Sequence, residues 1–133
     1  NIKIYKKCAL TYKYIGLSKE KLGDKKGALQ EYSNSLKICK RFYGVYRERG
    51  RLKMELKDYK GAINDFSLEI KFDPKDDLAL SLRGCSYAKI YDFKNAYKDL
   101  KKANNINKKH VNLRSHIKED TKKYIEILSI MGK

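Results

Sequence analysis

The stretch "KDYKGAINDFSLEIKFDP" (57–74) sets apolar side chains among charged ones at helical spacing. Phe66 follows Ala62 by four positions, Phe72 by ten, and Pro74 closes the run. Steps that alternate between three and four keep side chains on one face of an α-helix. The pattern returns upstream in "GDKKGALQEYSNSLKICK" (23–40) and downstream in "YDFKNAYKDLKKANNINK" (91–108), shifted by the same step each way. Three series share that step and phase: Gly16, Gly50 and Gly84; Asp24, Asp58 and Asp92; Ala28, Ala62 and Ala96. Their apolar neighbours keep the step. Tyr12, Tyr46 and Leu80 lie four before the glycine, and Leu22, Leu56 and Ile90 six after it. Tyr32, Phe66 and Leu100 lie four after the alanine, and Ile38, Phe72 and Ile106 ten after it.

Each unit therefore reads as two helices joined by a tight turn, roughly 10–22 and 25–39 in the first copy. The aspartates are placed to cap the second helix, accepting its free N–H groups and complementing its dipole. Glycine and alanine stand where larger side chains would hold the paired helices apart. Pro74 ends the middle unit because proline cannot continue a helix.

A helix–turn–helix unit of this length, with Gly early, Ala midway, an aromatic four positions later and Pro near the end, resembles the tetratricopeptide repeat. In that phase the copies are 9–42, 43–76 and 77–110. The resemblance implies an all-α, right-handed solenoid of antiparallel helix pairs. Three departures stand out. The aromatic expected three positions after the glycine is Lys19 and Lys53 in the first two copies, and only Tyr87 conforms. Lysine stems can cover apolar surface there, with weaker packing. The small residue expected seven after the alanine is Ser35, Glu69 and Ala103, so Glu69 is anomalous. Lys40 and Lys108 replace the proline in the outer copies, which predicts longer second helices there.

The ends are less regular. Residues 1–8 read either as the end of a preceding repeat or as an N-terminal extension of the first helix. The first residue is Asn, which suggests a fragment or a processed chain. Residues 111–133 carry Leu113, Ile117, Tyr124, Leu128 and Met131 at helical spacing, matching a C-terminal capping helix over the last repeat. Its tail "YIEILSIM" is apolar on more than one face, which leaves self-association as a second role.

Composition adds charge to this picture. The chain has 133 residues, 32 basic against 16 acidic, for a net charge of +16. That balance points toward nucleic acid or another polyanion, but 26 of the cations are lysine, whereas phosphate and base recognition leans on arginine. The richness in Lys, Ile, Asn and Tyr also fits an A+T-rich coding bias. The middle copy carries +1 against +5 for each outer copy, and many outer lysines fall on second helices, so no continuous basic stripe with interleaved aromatics emerges. Polyanion binding through these lysine-rich outer faces is the alternative reading.

Candidate chemistry is sparse. Cys8, Cys39 and Cys85 are odd in number and widely spaced, which points to a reducing, cytoplasmic setting. No apolar run approaches the ~18 residues of a membrane span. "GLSKEKLG" is not a phosphate loop, and His110 and His116, six apart, do not share a helical face as metal ligands. Neither an enzyme, a metal site nor a cofactor is expected.

What remains is surface. In the resembled family the first helix of each unit lines a concave groove that holds a peptide. The positions that typically face it include Lys13 and Leu17 in copy one, Arg47, Glu48, Arg51 and Met54 in copy two, and Ser81, Leu82, Cys85 and Lys89 in copy three. Lys13, Arg47 and Arg51 are candidates to pair with carboxylates. Leu17, Met54, Leu82 and Cys85 are candidates to take apolar side chains. The expected partner is a protein or peptide segment of mixed acidic and apolar character. The family's best-known specificity clamps a chaperone's C-terminal carboxylate with Lys and Asn in the first repeat, Asn in the second, and Lys and Arg in the third. Only Lys13 matches. Leu17 and Glu48 take the asparagine positions, Leu78 and Leu82 the final pair, and Glu48 would repel a carboxylate.

Overall fold

In the computed structural model, which describes residues 2–42, 44–107, 123, 125–127 and 129–131, the apolar periodicity becomes six named helices. They are α1 (Ile2–Lys21), α2 (Lys25–Ile38), α3 (Val45–Glu55), α4 (Tyr59–Phe72), α5 (Asp77–Lys89) and α6 (Phe93–Asn107). Lys123 and the described residues from 125 to 131 are helical as well, and Ile125 packs against the Ala96–Leu100 cluster. Met131 is exposed; Leu113, Ile117, Tyr124 and Leu128 lie outside the described residues. Each odd helix packs most extensively on the even helix that follows it, and α2·α3 and α4·α5 contacts stack the pairs. This is an all-α solenoid.

Helix starts follow the aspartates. Asp24 Oδ1 accepts from Gly27 N at 2.9 Å, and Asp58 Oδ1 from Gly61 N at 3.0 Å. Asp92 lies more loosely, 3.4 Å from Asn95 N. The turn before each cap also repeats. Gly23, Lys57 and Tyr91, each one repeat apart, all adopt the left-handed conformation, with φ of 86°, 66° and 65°. Glycine enters that region freely, whereas a side chain there costs energy. Only the first turn has the suited residue.

The core sits between the members of each pair. A Cβ on Gly16 would stand 2.7 Å from the Tyr32 ring, one on Gly50 2.7 Å from the Phe66 ring, and one on Gly84 2.8 Å from Leu100. Each glycine thus lets its helix rest on the bulky residue of its partner. Ala28, Ala62 and Ala96 are fully buried beside those contacts.

The structure sharpens four points that the sequence left open or described differently. Residues 2–8 are the first turns of α1, which runs unbroken to Lys21. Lys40 does not lengthen the second helix: α2 ends at Ile38, the position in its repeat where α4 ends at Phe72. The chain must leave the helix there so that Phe42 can pack on the cluster of Tyr32, Val45 and Leu52. Lys108 lies outside the described residues. Leu22, Leu56 and Ile90 do not join the core, because they fall at the inter-helix turns, and Leu22 is 85% exposed. Lys19 and Lys53 do more than cover surface. Lys53 Nζ lies 3.1 Å from Asp65 Oδ2, and Lys19 Nζ lies 3.5 Å from Glu31 Oε1, the matching acid of the first repeat.

Two substitutions test this account by chemical denaturation. Gly50→Ala should destabilise the chain by about 1–3 kcal/mol, since the Phe66 ring has little room to yield. Lys57→Gly should stabilise it by about 0.5–1 kcal/mol by relieving the left-handed backbone.

Candidate functional site

The first helices of the pairs, α1, α3 and α5, carry the predicted groove residues, and the structure divides these into three kinds. Leu17, Met54, Leu82 and Cys85 are half-buried and reach the core from this side. Leu17 packs on the cluster around Tyr32 and Leu52, Met54 and Leu82 on Ala62, Phe66 and Ala79, and Cys85 on Ala96 and Leu100. Lys13 is half-buried, with Nζ 5.9 Å from the centroid of the Phe42 ring, and Lys89 is exposed. Of the remaining four, Arg47, Glu48 and Arg51 are engaged within the chain, and Ser81 is buried.

Arg47 and Arg51 are not free to pair with a ligand in the way their spacing predicts. Arg47 Nη1 donates to Asp76 Oδ2 at 2.8 Å, while Asp76 Oδ1 accepts from Ala79 N at 3.0 Å and caps α5. Burial disfavours the Arg47 charge, but Asp76 and its hydrogen bond outweigh it and raise the pKa. Arg51 Nη2 reaches Glu20 Oε2 at 2.6 Å and Glu48 Oε2 at 3.1 Å, and Nη1 reaches Glu55 Oε1 at 2.8 Å. Glu20 also accepts the hydroxyl of buried Tyr32, whose pKa is raised by burial and then by that carboxylate. Glu48 therefore serves Arg51 rather than facing an open groove. Ser81 is a second correction. Only 4% of it is exposed, on a turn of α5 flanked by buried Ala79 and Leu80, so it cannot contact a ligand.

Sequence reasoning missed a repeating tie. Arg49 binds Asp65 bidentately at 2.9 and 2.7 Å and donates to Ser33 Oγ at 3.2 Å. One repeat later, Arg83 binds Asp99 at 2.6 and 2.7 Å and donates to Ser67 Oγ at 3.1 Å. Each arginine joins the second helix of its own pair to the second helix of the pair before. The signal was present in the sequence, because Arg, Asp and Ser each recur with the same step.

Glu69, anomalous by pattern, has a defined task. It is 2% exposed, and its Oε1 accepts from Gly44 N at 3.0 Å, at the start of α3. Gly44 is the N-cap of that helix, takes φ 82°, and has no side chain to cap with. A carboxylate from α4 therefore supplies the negative charge that the N-terminus of α3 favours. In the first pair the equivalent Ser35 donates to the carbonyl of Ala9 at 2.7 Å. Burial raises the Glu69 pKa, opposed in part by the Gly44 N–H.

Among the described residues no group of acidic, His or Cys side chains could hold a metal, and no helix is long and apolar enough to cross a membrane. No protein-family model matches the chain, and no curated protein does. Solved structures do. The chain is similar to the first tetratricopeptide-repeat domain of Spaghetti (RPAP3) bound to the HSP90 peptide SRMEEVD, at 18% identity, TM-score 0.81, over 93% of this chain and 95% of that one. It is similar to the TPR2B domain of yeast Sti1 in complex with an Hsp70 peptide, at 18% identity, TM-score 0.81, over 92% and 97%. It is also similar to a chain of a T3SS complex from Aeromonas hydrophila, at 10% identity, TM-score 0.86, over 93% and 82%. The fold is that of the tetratricopeptide-repeat domains.

The pH dependence of Glu69→Gln isolates the buried carboxylate. A raised carboxyl pKa favours folding below the ordinary value near 4.5, and that advantage is lost as pH rises through the folded value. The Gln variant keeps an acceptor for Gly44 without the buried charge. Its stability relative to the parent chain should therefore increase between acid and neutral pH, as read by denaturation at each pH. An unchanging difference would show that the carboxylate carries no buried-charge penalty.

Proposed function

We propose that this chain is a protein-interaction module, a scaffold or adaptor, that holds a segment of a partner along the face made by α1, α3 and α5. The observation that carries the reading is the set of half-buried apolar side chains on those helices. Leu17, Met54, Leu82 and Cys85 touch all three core clusters from the side that is concave in tetratricopeptide-repeat domains. A rigid helical stack displays such residues with little ordering cost on its own side, so the main penalty falls on the flexible partner. The peptide complexes of the similar RPAP3 and Sti1 domains support a peptide ligand for this fold. Binding, not catalysis, is the role this reading assigns.

The arrangement also argues against a ligand read by arginines along the groove floor. Arg47 and Arg51 already face carboxylates, at 2.8 Å and 2.6 Å. Extracting either one would strand a partly buried acid, which is costly. Apolar contacts from Leu17 to Cys85 are thus the main source of affinity in the groove, and charge must act at its margins.

The test is capture from native lysate on the immobilised chain, with and without nuclease, beside a Met54→Glu/Lys89→Glu variant whose fold is checked by circular dichroism. A nuclease-resistant partner retained at least fivefold less by the folded variant is the expected result. Partners that vanish with nuclease yet survive the substitutions would replace this reading with polyanion binding.

A further inference from the structure

Five arginines fall among the described residues, and four of them place the guanidinium on a carboxylate: Arg47 on Asp76, Arg49 on Asp65, Arg51 on Glu20, and Arg83 on Asp99. Arg41 is the exception. No described carboxylate lies within ion-pairing distance of it, and its guanidinium sits over the Phe72 ring, 5.5 Å from the centroid. Arg41 lies at the edge of a cavity of about 390 Å³ between the N-terminal half of α1 and the α2–α3 connection. The cavity is lined by Lys6, Leu10, Lys13, Cys39, Arg41 and Phe42.

Three of those six residues are cations, and none of the three pairs with a described acid. Lys6, Leu10 and Lys13 share one face of α1, since their spacings are four and three. Lys13 and Arg41 are positioned by rings, Phe42 and Phe72, rather than by counter-charges. Leu10, Cys39 and Phe42 supply apolar wall between them. Like charges gathered in a concavity with apolar walls raise the local potential and attract an anion, which also relieves their mutual repulsion. At about 390 Å³ the space is near the lower end of the ~300–1,000 Å³ typical of ligand sites, enough for a side chain and its neighbour.

We propose that this cavity takes an internal acidic residue of the partner segment, a glutamate or aspartate, with an adjoining apolar side chain against Leu10 and Phe42. The proposal rests on the groove reading above and adds where charge is recognised: at the first helix and the α2–α3 connection rather than at Arg47 and Arg51. Arg41 can bind a carboxylate bidentately, and the two ammonium groups add charge-assisted donors. Because the anion is an internal side chain of the partner and not its terminus, a partner with a blocked C-terminus should bind equally well.

Cys39 in the cavity wall and Cys85 on α5 provide reporters on the intact chain. The probe is the end-blocked peptide acetyl-Gly-Ser-Glu-Phe-Glu-Leu-Ser-Gly-amide, compared with its double Glu-to-Gln form and a form with phosphoserine replacing both glutamates. Iodoacetamide labelling of Cys8, Cys39 and Cys85 is followed by mass mapping of each site. At saturating peptide, the glutamate form should slow labelling of Cys39 at least fivefold and leave exposed Cys8 unchanged. Protection should disappear in about 1 M salt, where the screening length is ~3 Å. In a Lys13→Gln/Arg41→Gln chain the peptide should bind about tenfold more weakly. Equal protection by the Gln form would overturn the acidic assignment, and protection by the phosphoserine form alone would reassign the cavity to phosphate. Failure of the glutamate form to protect Cys39 would overturn the cavity proposal, while a partner captured in the lysate experiment would leave the groove reading intact. Protection of Cys39 with no groove-dependent capture would do the reverse.

Discussion

The close approach of a glycine to a bulky side chain governs the rest of this structure. Gly16 on Tyr32, Gly50 on Phe66 and Gly84 on Leu100 set how near the two helices of each pair can come. That spacing buries the paired alanines and brings acids on the second helix within reach of cations on the first. Lys53 and Arg49 can both reach Asp65 only because α3 and α4 lie this close. Were the helices held apart by one methyl group, the ion pairs and the apolar clusters would lose their geometry together.

A second kind of contact turns pairs into a stack. Arg49 and Arg83 each bridge the acid of their own pair and the serine of the preceding one, and the acids are almost wholly buried. Such buried pairs add little net stability over apolar packing. They do penalise any other register, because a displaced helix would leave a charge without a partner. Asp76 extends this logic by capping α5 while holding Arg47 of α3. The relation between consecutive pairs is therefore set by polar contacts, and the relation within a pair by apolar ones.

This division has a functional consequence. The chain carries +16, yet Arg47 and Arg51, the two arginines predicted to line the groove, are each matched by carboxylates inside the fold. Half-buried apolar side chains on α1, α3 and α5 are what the proposed groove would offer a partner, and Lys13 and Arg41, cations without a described acid partner, line one cavity. On the proposed reading, a ligand for such a surface is held by shape and apolar contact along its length and by electrostatics at one end. The acidic set of Glu20, Glu48 and Glu55 around Arg51 further discourages a uniformly acidic segment from lying across the centre.

The fixed repeat step was enough to determine the helix pairs, their caps at Asp24 and Asp58, and the glycine contacts, because each of these is local or recurs with the unit. The same arithmetic contained the Arg49/Arg83 and Asp65/Asp99 series, which recur with the unit but whose pairing across helices it does not specify. Other features were invisible in one dimension. Glu69 looked like a misfit in its own helix, and only the approach of Gly44 from another helix explains it. Arg47 and Arg51 looked available because their partners lie far along the chain and on other helices, Asp76 at the cap of α5 and Glu20 on α1. Spacing along a helix specifies which face a residue occupies. Whether that face meets water, a ligand or a carboxylate from elsewhere depends on how the helices pack, and at this site only the tertiary structure decided it.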